Sequence, residues 1–215
     1  MDPAIAHDLE GIPYTDDPAV LRARSRDWHT VSPLLRKALK GKTADAIVWP
    51  RDKAELARVV RAAVAHRVPV TARGGGTANY GQSVPLRGGL LVDVTAYDRI
   101  RTIADDHVRA DGGVNLGTLD DALRARGREL RVHPSTKRHS TLAGFVAGGS
   151  GGVGSLANGM LRDPGAIRAV EIMTMEAEPR LIAERGDDVA LVQHAYGTNG
   201  IITEIEMPTR PSTDW

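Results

Sequence analysis

The chain has 215 residues, enough for one domain or for two small lobes that share an interface. Its 28 Lys and Arg balance 27 Asp and Glu, so no global field recruits nucleic acid or an anionic membrane, and a single Phe with four Tyr supplies no base-stacking platform. The absence of cysteine excludes disulfides, thiolate metal sites and a cysteine nucleophile.

Residues 1–41 read as an N-terminal arm with short helices. Ser32-Pro33 gives an N-cap hydroxyl followed by proline at the first helical position, and Gly41 closes that segment. The opening residues lack a basic region followed by an apolar core, and no apolar run reaches bilayer length, so the expectation is a cytoplasmic protein with no membrane partner. Ala46-Ile-Val-Trp49 is a short apolar strand stopped by Pro50. Asp52 and Glu55 stand as N-cap and N3 partners of a capping box. Leu56, Val59, Val60, Ala63 and Val64 recur at helical spacing, which predicts an amphipathic helix over 52–66 with His66 favoured by the dipole at its end. Strands over 68–72 and 90–94 complete a strand–helix–strand unit of parallel type.

Beyond Tyr97 the pattern turns antiparallel. Segments 100–103 and 107–111 flank an Ala-Asp-Asp turn as a hairpin, and a helix over 116–126 ends at Gly127. Strands over 167–175 and 180–184 pair, a short helix over 187–195 comes next, and the alternation in 201–207 predicts a half-buried strand. The fold class is α+β, with a small parallel lobe over about 42–97, a larger antiparallel lobe over about 98–208 and a tail at 209–215.

Chemistry concentrates in two glycine-rich segments. In Arg73-Gly-Gly-Gly-Thr-Ala-Asn-Tyr-Gly-Gln82, three adjacent glycines follow an apolar strand. Successive unshielded N–H groups form an anion-binding concavity suited to a pyrophosphate, and Arg73, Thr77, Asn79 and Gln82 add charge and donors. A glycine-rich surface turn is the plainer alternative. The second segment, from His133 to Ser155, contains a decoy: Gly149-Ser-Gly-Gly-Val-Gly154 fits G-x-G-x-x-G, with Glu171 near the position of a ribose-binding acid. A nicotinamide-type Rossmann site needs a strand before those glycines and an unbroken helix after them. Instead Thr141 to Ala147 reads as a short helix, and Gly159 and Pro164-Gly165 break any helix after the glycines. A Walker-type phosphate loop fails because neither cluster is followed by Lys and Ser/Thr. His133 and His139 are more economically read as hydrogen-bonding groups than as acid–base catalysts, and Arg162-Asp163 as a turn clamp before Pro164. No His, Asp and Glu cluster has metal-ligand spacing, so no metal is expected.

The first glycine segment resembles the pyrophosphate loop of the vanillyl-alcohol oxidase family, whose flavin-binding module is the PCMH-type FAD-binding domain. The similarity continues through Pro134-Ser135, Thr141-Leu-Ala-Gly144, Ser150-Gly-Gly152 and Gly159-Met-Leu-Arg-Asp163, and ends at Tyr196-Gly-Thr-Asn-Gly-Ile-Ile-Thr-Glu204. These motifs stand in family order over about 42–208.

The resemblance implies an FAD site. Arg73, Gly74, Gly75, Gly76, Thr77, Ala78, Asn79, Tyr80, Gly81 and Gln82 would wrap the pyrophosphate. Pro134, Ser135, Thr136, Thr141, Gly144, Gly148, Ser150, Gly151, Gly154 and Ser155 would line the ribityl chain and isoalloxazine, with Gly159 of the next motif beside them. Ile201 and Ile202 would border the adenine, and Ala143 stands where the family usually has the first of two glycines. Relatives that attach the flavin use a histidine at the position of Thr77, sometimes with a cysteine; this chain has neither, so non-covalent FAD is expected. The same reading predicts that Gly75→Val abolishes FAD retention and leaves much of the fold intact. By family analogy the function is the FAD-binding portion of an oxidoreductase that moves hydride from a hydroxyl-bearing carbon, such as that of a 2-hydroxy acid, to flavin N5. A cofactor-holding or partner-binding module without turnover stays open. Family enzymes carry a further substrate domain, and the sequence ends at Trp215, just past the closing motif. The expectation is therefore a substrate site completed by an absent domain or a second polypeptide, with a homodimer as another cover for the flavin; the catalytic residues stay unknown.

Overall fold

Short apolar runs broken by glycine and proline can bury their faces only by stacking in layers, and here they form two sheets. The computed structural model describes residues 3–213. In the first lobe β2 (Ala46–Val48), β4 (Leu90–Asp93) and β3 (Val70–Arg73) run parallel, and β1 (Tyr14–Thr15) adds an antiparallel edge in the order β1-β2-β4-β3. The connecting helix α4 (Lys53–Ala65) buries Leu56, Val59, Val60, Ala62 and Ala63 against this sheet.

Two details of α4 differ from the sequence reading. Asp52 caps it by accepting from Glu55 N at 2.8 Å, but Glu55 reaches the N–H of Arg51, one residue before the cap, at 2.7 Å. The Arg51 guanidinium also binds the Glu55 carboxylate, which draws the side chain back beyond the cap. His66 does more than meet the dipole, because its Nε2 lies 2.8 Å from Asp8 Oδ2. That contact ties α4 to the first helix, α1 (Pro3–Asp8). The described part of the segment read as an arm, residues 3–41, contains α1, α2 (Pro18–Arg24) and α3 (Pro33–Ala38); Leu21 of α2 packs against Ile47 and Leu91, and α1 packs into the core of the first lobe. Ile5, Leu9 and Ile12 are each at most 3% exposed within its core, since α4 leaves an apolar flank that they cover.

The second lobe is a six-stranded antiparallel sheet ordered β5-β6-β10-β8-β9, from β5 (Ile100–Ile103), β6 (His107–Asp111), β8 (Ala169–Met173), β9 (Leu181–Arg185) and β10 (Ile201–Pro211). A short β7 (Arg128–Leu130) pairs with the end of β10, which thus extends into the segment read as a tail. β10 is buried on both faces rather than half-buried: Thr203 is fully enclosed and Glu204 is 9% exposed. Its outward carboxylate is covered by ion partners, not apolar groups, with Arg109 and Lys53 both reaching Glu204. On the inner face α5 (Leu116–Arg124) and α6 (Leu142–Gly148) supply Leu116, Leu119, Leu123, Leu142, Phe145 and Val146 to the core. The helix expected over 187–195 is a shorter 3-10 turn, Gly186–Leu191, followed by irregular chain.

The lobes are not independent. Met173 and Ile201 of the second belong to the core of the first. Gly113 passes so close that a Cβ there would stand 1.8 Å from Val94 O, so only glycine allows the approach.

Candidate functional site

Arg73 ends β3 and its guanidinium folds back beneath the adjoining glycine loop. It is 8% exposed, and its Nη1 donates to Arg26 O at 2.7 Å. A Cβ on Gly76 would stand 1.9 Å from Arg73 Nη2, so this glycine admits the guanidinium under the backbone. Burial pulls the Arg73 pKa below its ordinary value, with Asp93 as the main opposing charge, and its Nε meets no acceptor among the described residues. A buried cation with an unpaired donor favours a nearby anion.

The other two glycines have a reason the sequence did not disclose. A Cβ on Gly74 would lie 2.1 Å from Thr141 Oγ1, and one on Gly75 would lie 1.9 Å from His139 O. The first glycine segment is therefore pressed against the second. Hydroxyls join them: Thr77 Oγ1 and Ser140 Oγ are 3.1 Å apart, and Ser140 Oγ is 2.8 Å from Thr136 Oγ1. From the other side, Trp28 N donates to Ala78 O at 2.8 Å. Among the described residues, the backbone N–H groups of Gly75, Gly76, Thr77, Ala78 and Asn79 find no protein acceptor. Successive backbone donors without a protein acceptor, in a loop whose Gly76 packs on a buried guanidinium, suit an anion.

Between the two segments lies a cleft of about 860 Å3. Of the residues expected to touch a cofactor, 73–80, 82, 134–136, 141, 144, 148, 150, 151, 201 and 202 line it. Thr141 caps α6 by accepting from Gly144 N at 3.2 Å, and Leu142 N and Ala143 N bond to Val114 O and Gly112 O. Those bonds lay the small-residue face of α6 along the cleft. Ala143 lines the cleft at 7% exposure, so its methyl narrows the wall without projecting far.

Four expected residues do not line the cleft: Gly81, Gly154, Ser155 and Gly159. Each serves the chain itself. A Cβ on Gly81 would meet Leu39, on Gly154 the carbonyl of Arg131, and on Gly159 the Asp163 carboxylate, while Ser155 Oγ accepts from Gly152 N at 3.0 Å. The G-x-G-x-x-G decoy is likewise no Rossmann turn, because α6 precedes it and only the four-residue α7 (Ser155–Asn158) succeeds it. Its acid, Glu171, is engaged by Lys53 Nζ at 2.5 Å. His133 and His139 stand outside the cleft lining, and Asp163 clamps its turn by accepting from Met160 N at 2.7 Å.

The sequence assigned no site role to Trp28, Ser83, Val94, Phe145, Gly149, His194, Tyr196 and Gly200, all of which line the cleft. Trp28 comes from a 3-10 turn capped by the buried Asp27, far from the glycine motifs in sequence.

The family model described as "FAD binding domain" matches residues 44–179. Over 180 residues the chain is 29% identical to the glycolate oxidase subunit GlcD of Bacillus subtilis, covering 79% of this chain and 38% of that one. It is 32% identical over 170 residues to a D-lactate dehydrogenase of Archaeoglobus fulgidus, covering 76% and 37%. The chain thus spans under two fifths of the length of these relatives. Among solved structures, one crystal form of alkyldihydroxyacetonephosphate synthase superposes with a TM-score of 0.82 at 21% identity, covering 98% of this chain and 41% of that one. A BBE-like protein of Physcomitrella patens gives 0.79 at 19%, covering 98% and 45%. At those identities the likeness concerns the fold. The pressed glycine segments, the loop donors after Arg73 and the family match agree: the chain belongs to the PCMH-type FAD-binding domain family of FAD-linked oxidoreductases.

Proposed function

We propose that this domain holds FAD non-covalently along the cleft, with the pyrophosphate against the N–H groups of residues 75–79. It would serve an oxidoreductase acting on a small 2-hydroxy acid. The observation that carries the proposal is the run of five backbone N–H groups without a protein acceptor, in the loop that follows the buried Arg73 and lines a cleft of about 860 Å3. Those donors meet two phosphates without reorganisation, and the low-dielectric floor strengthens each bond. The walls of glycine, alanine and serine from α6 onward let a flat ring approach the backbone. Bound FAD would supply the hydride acceptor. The substrate class rests on relatives named for glycolate, D-lactate and D-2-hydroxyglutarate, the last being 34% identical to this chain over 125 residues.

Gly148 provides the test. It ends α6, lines the cleft, and a Cβ there would have no neighbour within 4 Å. Gly148→Leu is therefore expected to keep or slightly raise the melting temperature of the apo protein, since leucine favours a helix by about 0.5–1 kcal/mol over glycine. The same substitution should weaken FAD binding about tenfold or more by filling the cleft. Unchanged affinity, read by flavin fluorescence titration, would remove the cofactor from this wall. Acid precipitation of the FAD-loaded protein should leave the yellow flavin in the supernatant; flavin retained in the pellet would refute non-covalent binding. Anaerobic bleaching of flavin absorbance in the complete enzyme, by D- and L-2-hydroxy acids against simple alcohols, tests the substrate class.

A further inference from the structure

Among the described residues, three non-glycine positions have a left-handed backbone: Arg67, His194 and Tyr196, with φ of 53°, 55° and 52°. Arg67 occupies the turn after α4. The other two stand close together before β10, and both line the cleft. Side chains rarely adopt this backbone, and residues held in it collect at ligand sites, where surrounding contacts impose it.

Those contacts are present. His194 N donates to Val146 O at 3.0 Å and Tyr196 N to Ala147 O at 3.1 Å, pinning the segment to the C-terminal turn of α6. His194 Nε2 lies 2.9 Å from the Tyr196 hydroxyl, and the two rings meet edge-on with centroids 5.2 Å apart. Gly149 leaves room for the imidazole, because a Cβ there would lie 2.3 Å from His194 Cγ. Yet both side chains are exposed, Tyr196 at 42%, so core packing does not account for them. Glycine would satisfy either φ without strain.

We propose that His194 and Tyr196 form a hydrogen-bonded aromatic wall that contacts bound FAD and orients one of its ring systems. The inference rests on the reading of the cleft as the FAD site. The imidazole fixes the phenol, and the paired rings present a rigid apolar surface whose ordering cost has already been met in the apo protein.

The test uses the full chain with His194→Gly, Tyr196→Gly and Tyr196→Phe. Removing strain and side chain together should leave the apo melting temperature equal or higher. It should also raise the Kd for FAD about tenfold or more and alter the visible circular dichroism of the bound flavin. Tyr196→Phe keeps the ring and loses the hydrogen bond, so a smaller rise is expected. Two results overturn the inference: Kd values within about twofold of the parent for both glycine variants, or glycine variants whose apo form melts lower, which would make the pair a structural brace. If the parent chain itself binds no FAD, the cofactor reading fails and takes this one with it. Failure confined to the variants leaves that reading standing.

Discussion

A methyl group at Gly75 would stand 1.9 Å from the carbonyl oxygen of His139, which is backbone and cannot swing aside. The sequence-based expectation that Gly75→Val would spare the fold therefore changes. The variant should lose FAD affinity and also unfold at lower denaturant, by about 1–3 kcal/mol for an overpacked contact. A urea midpoint equal to the parent's would contradict this. Glu129 offers a pH test of similar resolution. Burial by itself raises this carboxyl, but hydrogen bonds from Arg210 and Thr213 outweigh it and hold the pKa below the usual carboxylate value. A folded pKa below the unfolded one stabilises above the unfolded value of about 4.3 and is lost as pH falls through the folded one. Glu129→Gln should then lower stability at pH 7 and flatten its decline on acidification. A denaturation series whose slope below about pH 4.5 matches the parent's would exclude that role. At this scale the sequence disclosed that residues 73–82 mattered, since three adjacent glycines are costly to order. It did not disclose that part of their purpose is contact with residues 139–141, because that contact depends on where a distant segment docks.

The short helix α6 sets the wall of the cleft, and its orientation depends on Thr141 at its N-cap. Thr141→Ala removes the side-chain acceptor for Gly144 N and should cost about 1 kcal/mol, whereas Thr141→Ser should recover most of it. Equal melting temperatures for the alanine and serine variants would show that the cap does not hold the helix. Periodicity with a cap located α4 and a closing glycine marked the end of α5, because those signals are local. β10 was located but misjudged as half-buried. Alternation reports which side chains are polar, and it cannot report that Arg109 and Lys53 cover the polar face. The segment after Leu191 failed as a helix for a related reason. Its backbone turns left-handed at His194 and Tyr196, anchored by the last carbonyls of α6, an interaction between elements rather than within one.

Across the whole molecule, Lys53 on α4 meets Glu171 of β8 at 2.5 Å and Glu204 of β10 at 3.6 Å, so one side chain links the parallel and antiparallel lobes. Lys53→Met should cost about 1–2 kcal/mol, a value held down by the partial exposure of the ammonium. An unchanged denaturation midpoint would make the bridge inconsequential. Because residues from both lobes line the cleft, FAD should stabilise them as one unit. At a free concentration of 100 Kd the gain is about 2.7 kcal/mol, which raises the melting temperature by several degrees in a single transition. Two separate transitions, only one of them shifted by FAD, would show that the lobes melt independently.

The sequence by itself determined the α+β class, the order of most elements, the family, and the two glycine-rich segments that line the cleft. These arise from short-range properties: apolar periodicity, cap residues and ordered glycine motifs. Only the tertiary structure decided that Ile5, Leu9 and Ile12 complete the first core, that Gly81, Gly154, Ser155 and Gly159 lie outside the cleft lining, and that Trp28, His194 and Tyr196 line it. Burial and proximity arise from segments distant in sequence, and no local pattern encodes which of them will meet.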